Sequence, residues 1–275
     1  MIDLHTHSTI SDGSDAPERI PVLAAEAGCT AVALTDHDRL DGIDAARAAA
    51  ASVGVELVPG CEISCEVGVG TMHLLVYFVE PGEGPLQAEL VRLQEVRDRR
   101  NQVMCERLGL SYDDLVAEAG GIGAGRPHAA ALLVRDGRAA SIQDAFDRWL
   151  SKGQAGYVDK ERLAPRDALR LSAASGGVPV LAHPRSLELQ PAALRSTVEE
   201  MRELGLAGME CEYGRYSVED RAGLARLASS LGLVATGGSD HHGTYKPDLA
   251  VGVGRGDLFV PDTALDDLKA RRPSS

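Results

Sequence analysis

The residues that could do chemistry here are histidines and carboxylates, and their positions form a pattern. His5 and His7 stand two apart at the end of a strand-like start, Ile2 to His5. His37 lies in Thr35-Asp36-His37-Asp38, and Glu62 in Pro59-Gly60-Cys61-Glu62. His73 opens HLLVYFV, His183 closes VPVLAH, and Asp240 with His242 closes LVATGGSD. Imidazole and carboxylate together suit Mn²⁺, Fe²⁺ or Zn²⁺. With Asp12 added, six histidines and three carboxylates exceed one tetrahedral ion and would serve two or three. Two cations about 3.5–4 Å apart need a bridging carboxylate, and such a pair clamps both oxygens of a displacement. Glu62 is the candidate bridge. Each piece alone has a plainer reading. His5 and His7 could be two hydrogen-bonded histidines, Asp12 in Ser11-Asp12-Gly13 a turn residue, and Asp240-His241-His242 a capped loop. Their coincidence carries the metal reading, with His241 left out of the ligand set.

The elements that must position these residues are legible as alternating strands and helices. Apolar runs at 2–5, 31–35, 55–58, 73–79, 178–183, 208–213 and 233–240 alternate with helical stretches at 17–27, 43–52, 165–175, 191–204 and 217–231. Uninterrupted apolar strands joined by helices predict a parallel sheet buried on both faces, and this many units suggest a closed barrel. Apart from Asp12, seven of the eight positions fall at strand C-terminal ends, where barrel enzymes build their sites, and the eighth, His73, opens its strand. The 63–73 segment would have to carry it back to the others.

Residues 1–84 and 163–275 read as the two parts of that barrel, and 85–162 as an inserted helical cap, with helices at 86–108, 112–119 and 142–150. The tail after Lys269 reads as frayed.

Composition limits the partners. Apolar residues are 44% and charged residues 25%, which excludes wholesale disorder. The longest apolar run, 74–79, falls far short of the ~18 residues of a membrane span. A net charge of -13 excludes a broad duplex-binding face, so an anionic substrate would need a local positive site. Three divalent ions would bring about +6 against about -3 from Asp12, Glu62 and Asp240. The five cysteines are odd in number and lack CxxC spacing. They predict no disulfide framework and, with no basic region and apolar stretch at the start, a cytoplasmic protein.

Taken together, the motifs His5-Thr6-His7-Ser8, Ser11-Asp12-Gly13, Thr35-Asp36-His37-Asp38, Pro59-Gly60-Cys61-Glu62-Ile63-Ser64, His73, His183-Pro184 and Gly238-Ser239-Asp240-His241-His242 resemble the PHP (polymerase and histidinol phosphatase) superfamily in order and over nearly the whole chain. The resemblance implies a distorted (β/α)7 barrel, an α/β fold, with a trinuclear site. One ion would be held by His5, His7, Glu62 and Asp240, a second by Glu62, His73 and His183, a third by Asp12, His37 and His242. Asp12 stands where some relatives have a histidine. Metal-activated hydroxide, held by the first group, would attack a phosphomonoester.

The segment Gly125-Arg126-Pro127-His128 resembles a signature of the small nucleotide-phosphatase branch, which implies a nucleoside 3',5'-bisphosphate or 5'-AMP as substrate. Arg126 could fork two donors onto phosphate, His128 donate to another oxygen, and Arg185 serve as a further phosphate ligand. The plainer readings are a helix-start turn for Arg126-Pro127-His128 and a surface ion pair for Arg185. Tyr112, Trp149, Tyr157 and Tyr213 are candidate base-stacking residues, with ordinary packing as their plainer role. The alternatives are a 5'-3' exoribonuclease acting on short single strands, a histidinol phosphatase, and a non-catalytic metal-binding regulatory domain. An amidohydrolase with a carbamylated lysine bridge is disfavoured, since none of the four lysines, Lys152, Lys160, Lys246 and Lys269, lies on a predicted strand.

Overall fold

The computed structural model describes residues 1–159 and 161–273. Lys160 and the last two residues of the expected frayed tail lie outside the described residues.

Seven strands form one sheet in chain order: β1 (Ile2–Asp3), β2 (Ala31–Leu34), β3 (Glu56–Cys65), β4 (Met72–Tyr77), β5 (Val178–Leu181), β6 (Gly208–Tyr213) and β7 (Val234–Gly238). Beyond β1 the chain pairs with β7 and with residues 239–241: Leu4 N–H donates to Gly237 O at 3.1 Å, Asp240 N–H to His5 O at 2.8 Å, and His7 N–H to His241 O at 3.0 Å. The expected barrel is therefore present, closed at the seam that carries the first two histidines. Its interior is packed by Leu4, Ala33, Val58, Leu75, Tyr77 and Val180, all of them buried.

The expectation of an all-parallel sheet is corrected at one strand. β4 runs antiparallel to both β3 and β5, with Ser64 opposite His73 and Leu74 opposite Leu181. The third strand also extends to Cys65, well past the expected end at Val58. An apolar run buried on both faces reads alike in either direction, so the reversal left no periodicity to detect. It does account for the odd position of His73. A reversed strand begins at the rim where its neighbours end.

Helices α1 (Arg19–Glu26), α2 (Ile43–Val53), α7 (Pro165–Ala174), α8 (Pro191–Glu203), α9 (Val218–Ser230) and α10 (Thr263–Lys269) belong to the barrel portions. α2 is alanine-rich, the best helix former, and stops at Gly54, whose φ of 73° lets its N–H reach Ala50 O. The 85–162 segment holds α3 (Pro85–Leu108), α4 (Tyr112–Glu118), α5 (Arg126–Arg135) and α6 (Ile142–Ala145), followed by a π-helical turn at Phe146–Leu150. α5 is absent from the three helices expected here, and the expected 142–150 helix changes pitch midway.

α3 is a strut between two cores. Leu86, Leu90 and Leu93 near its start pack into the barrel's outer core with Val76, Val79 and Leu169. Met104, Cys105 and Leu108 near its end pack into a separate core with Leu115, Leu132, Leu133 and Leu150. Because reversed β4 ends at the rim away from the site, a long helix is needed to bring the chain back. At about 1.5 Å per residue, the 24 residues of α3 span roughly 36 Å.

Candidate functional site

The strand ends bring His5, His7, Asp12, His37, Glu62, His73, His183, Asp240 and His242 into one cluster. Glu62 is at its centre, buried, on β3. Its Oε1 lies 2.8 Å from His73 Nδ1 and 3.0 Å from His183 Nε2. Its Oε2 lies 3.3 Å from His5 Nε2, 3.2 Å from His7 Nε2 and 3.2 Å from His37 Nδ1. One carboxylate thus offers one oxygen to each of two histidine groups, the geometry a bridge requires. Asp240 Oδ1 faces His5 and His7 at 3.5 and 3.4 Å. Asp12 lies 3.3 Å from His242 and 3.9 Å from His37. Donor atoms within 4.8 Å of one another form four overlapping groups: His7-Asp12-His37-His242, His5-His7-Asp240, His5-Glu62-His183 and His37-Glu62-His73.

The donor set fits divalent cations. Asp12 Oδ1 and His37 Nδ1 are buried and make no hydrogen bond, although each has an opposite-type group within 3.3 Å. Buried polar atoms are seldom left so without cause, and cations held on the Glu62 side of His37 and on the His242 side of Asp12 would satisfy them. The electrostatics point the same way. Burial works against ionising Glu62, yet His73, His37 and His5 hold its carboxyl well below the usual range. Asp12, facing burial but also His37 and His242, and Asp240, beside Lys246 and His242, are likewise held well below it. Burial opposes charge on His7, but its bonds to Asp240 and Glu62 raise it to about 9. His5, buried among Glu210, Glu62 and Asp240, is also raised. Burial keeps His37 neutral and, with Lys246 nearby, pulls His242 down to about 4. Carboxylates that stay ionised in a buried, histidine-lined cavity are a ligand set in which protons and cations compete.

Local backbone strain aims two of these side chains. His183 (φ 25°) and Asp240 (φ 56°) follow β5 and β7 in the left-handed region, which non-glycine residues rarely adopt. Gly238 explains the glycine pair before Asp240: a Cβ there would meet His5 Cβ at 2.4 Å and His5 N at 2.5 Å.

The outer hydrogen bonds involve residues the sequence reading passed over. Glu210, on β6 and fully buried, lies 2.9 Å from His5 Nδ1 and accepts the His183 N–H at 2.6 Å. Asp36 accepts from Ser8 N–H, Ser8 Oγ and Ser11 Oγ at 2.6–2.8 Å. Asp240 Oδ2 accepts from Tyr213 at 2.8 Å and Lys246 at 2.6 Å. Glu210 sits mid-strand in GMECEY, and its acidity inside an apolar run was the available signal. His241, left out of the ligand set, has its Nε2 2.9 Å from Asp15 Oδ2 and its Nδ1 2.7 Å from Leu249 O.

The cluster opens into a cavity of about 320 Å³ whose far wall is the helical segment. Asp12, His37, His73 and His242 line one side, with Arg97, Arg100, Arg126, Arg162 and Lys246 supplying positive charge around it. Arg97 and Arg100 lie on α3 between its two packed ends, one turn apart. Arg97 also ties α3 to the barrel by an ion pair to Asp38 at 2.5 Å, and Gln94 donates to Asp38 O at 3.0 Å.

Of the expected phosphate ligands, Arg126 lines this cavity, its guanidinium 5.9 Å from the Phe146 and Tyr157 ring centres. His128 is 1% exposed, and its Nδ1 accepts the Gly125 N–H at 3.1 Å. Its Nδ1 thus makes the helix-start turn beside Arg126, and its ring packs edge-on against Tyr245 at the cavity. Arg185 pairs with Asp220 at 2.6 Å away from the cavity lining. The aromatic residues that do line it are Phe146 and Tyr245. Of the four expected stackers, Tyr213 bonds Asp240, Trp149 sits under Arg138 and Arg148, Tyr112 lines a different cleft, and Tyr157 lies behind Arg126. Lys246 lies beside the cluster but contacts Asp240 and bridges nothing, while Lys152 and Lys269 are off the strands.

Comparison with known proteins agrees with this geometry. The PHP domain model matches residues 3–158. The chain is 31% identical over 256 residues to a 3',5'-nucleoside bisphosphate phosphatase of Chromobacterium violaceum, covering 88% of this chain and 87% of that one. It is 34% identical over 252 residues to the 5'-3' exoribonuclease Rnm of Escherichia coli, covering 88% and 85%. A solved Bifidobacterium adolescentis structure, assigned as a metal-dependent phosphoesterase, superposes with a TM-score of 0.88 at 28% identity, covering 99% and 96%. With the motifs in order, the barrel closed and the model matched over more than half its length, the chain belongs to the PHP domain family.

Proposed function

We propose that this metal-dependent phosphoesterase hydrolyses the phosphomonoester of a small nucleotide, and that a nucleoside 3',5'-bisphosphate is its preferred substrate. The observation that carries the second half is Arg100 with Arg126. Both are largely buried at the cavity, and neither has a carboxylate within ion-pair distance among the described residues. Burial and the neighbouring guanidiniums of Arg97, Arg126 and Arg162 pull Arg100 down to about 9, and burial also lowers Arg126. Like charges crowded together in a dry corner are costly unless an anion joins them. A second phosphate, distinct from the one at the histidine cluster, would do so through forked hydrogen bonds.

The ligand assignment is the one the family resemblance implies, and the close approach of the donor atoms supports it: His5, His7, Glu62 and Asp240 for one ion, Glu62, His73 and His183 for another, and Asp12, His37 and His242 for a third. Bound Mn²⁺, Fe²⁺ or Zn²⁺ would activate water and act as Lewis acids toward the phosphoryl group. The chain's own residues do the rest. Glu62 holds two ligand groups at a fixed separation. Arg126, placed by the His128 turn, binds and orients the substrate, and Arg100 and Arg162 anchor its second anion. Ile142, Phe146 and Tyr245 give the nucleoside an apolar, aromatic wall. Ile142 and Phe146 in the helix-rich 85–162 segment, read as a cap, and Tyr245 facing them from the barrel part would exclude water from the charged centre.

The test is phosphate release with added Mn²⁺ from adenosine 3',5'-bisphosphate, 5'-AMP, 3'-AMP and a short 5'-phosphorylated RNA. The expected order places the bisphosphate first. Arg126→Ala should raise KM for the bisphosphate by about 10–100-fold, the loss of a charged hydrogen-bonding partner, while metal content is unchanged. Equal rates on 5'-AMP, with no effect of Arg126→Ala, would overturn the second-phosphate assignment. The exoribonuclease relative makes the RNA the competing substrate, since its 5'-phosphate could occupy the same arginine corner. Preference for RNA would move the reading there.

A further inference from the structure

We propose that Glu210 is a positioning residue that fixes the tautomer of His5 and couples two of the ion-holding groups. It rests on the reading above only in requiring that the cluster hold divalent ions, whatever the substrate.

Glu210 is fully buried on β6, and no lysine or arginine lies within ion-pair distance of it among the described residues. It does not face the cavity. Its two oxygens are committed to two donors from different parts of the barrel: Oε1 to His5 Nδ1 at 2.9 Å, Oε2 to the His183 N–H at 2.6 Å.

The chemistry of the first contact is restrictive. An ionised carboxylate only accepts hydrogen bonds. With Glu210 Oε1 as acceptor, His5 carries its proton on Nδ1, which leaves Nε2 as its metal-binding nitrogen. Nε2 is the atom that faces the cluster, 3.1 Å from His7 Nε2, 3.3 Å from Glu62 Oε2 and 3.5 Å from Asp240 Oδ1. A carboxylate behind a ligating imidazole both orients the ring and strengthens its donor nitrogen.

The second contact acts at the next group. It holds the backbone of His183 where φ is 25°, a conformation needing outside support. The His183 ring then meets Glu62 Oε1 alongside His73. One side chain so sets a histidine of the His5-His7-Asp240 group and one of the Glu62-His73-His183 group. The group around Asp12, His37 and His242 has no contact with it.

Glu210→Gln separates this role from a merely structural one. Glutamine keeps the shape but has one acceptor oxygen for two donors. If its amide nitrogen faces His5, the ring must accept at Nδ1 and carry its proton on Nε2, so the donor is lost. The expected result, by isothermal titration with Mn²⁺ and elemental analysis of the purified protein, is a 10–100-fold loss of affinity at two ion sites, with ions at the Asp12 group kept. Glu210→Asp, which retains both acceptors, should recover part of it. The metal-free thermal midpoint should fall by only about 2–10 °C, the cost of one unpaired buried donor.

Unchanged stoichiometry and affinity in Glu210→Gln would overturn the proposal, as would a fall confined to the metal-free midpoint. A direct reading needs no variant. Long-range ¹H–¹⁵N spectra of the Zn²⁺-loaded protein should show His5 protonated on Nδ1, and protonation on Nε2 overturns the assignment even if Glu210→Gln fails to fold. Absence of any divalent-ion binding by the unaltered protein would instead sink the metal-site reading itself. Ion binding without phosphate release would sink only the proposed reaction.

Discussion

At the scale of single residues, the site is a problem of sharing. Six imidazoles and three carboxylates would have to be shared among the proposed ions, and Glu62, with one oxygen facing each of two histidine groups, is where that sharing would fall. Glu62→Ala should therefore cost more than any single histidine. We expect loss of more than one ion per chain and a fall in kcat/KM beyond the ~100-fold typical of outer-shell changes, with far-UV circular dichroism retained. Loss of a single ion would show that Glu62 serves one group and is no bridge. The nine positions of the cluster were legible because imidazoles and acids stand out beside apolar strands. Glu210 and Asp36 were missed for a physical reason: they act through hydrogen bonds to backbone and side chains that only the closed barrel brings near. The arginines of α3 were missed too, because Arg97 and Arg100 sit in a run of charged residues that reads as an ordinary solvated helix face.

At the scale of elements, the strands and the helices between them followed from the alternation of apolar runs with helical stretches, whereas α5, α10 and the direction of one strand did not. Nothing in HLLVYFV says which way it runs. The only trace was that His73 opened a strand when the other histidines of the cluster, with Glu62 and Asp240, were read at strand ends. The seam between the first strand and the last is likewise invisible in either segment alone, yet it sets how closely Gly238 must approach His5. Gly238→Ala should destabilise the fold by about 2 kcal/mol or more, the cost of forcing a methyl into a packed contact. Differential scanning calorimetry should show a lowered midpoint, and an unchanged one would mean that the seam yields without cost. Changing Gly205, whose Cβ would meet no atom, tests φ alone and serves as the control.

At the scale of the whole molecule, the net charge of -13 and the arginine-ringed cavity are compatible because the positive charge is concentrated at one mouth. No helix among the described residues is long and apolar enough to cross a membrane. All five cysteines are free and buried. Burial pushes Cys29 and Cys105 up to about 11 and raises Cys61 and Cys211 further. A raised thiol pKa means a neutral, poorly nucleophilic thiol at pH 8. Iodoacetamide should therefore leave the native protein unmodified for hours at pH 8 and alkylate five sites once it is unfolded, as counted by mass spectrometry. Rapid native labelling of any one would place it in an opening segment.

The strut formed by α3 has one more consequence. Its leucines grip the barrel, its arginines reach the cavity, and its far end carries the other helices, so the height of the chamber is written as a number of residues. Four residues added between Leu93 and Arg97 would raise everything beyond them by about 6 Å and turn it by only about 40°, whereas one or two would swing the arginines out of line. A change in chamber height therefore needs no new binding surface, only a longer or shorter ruler, in steps that the helical repeat permits.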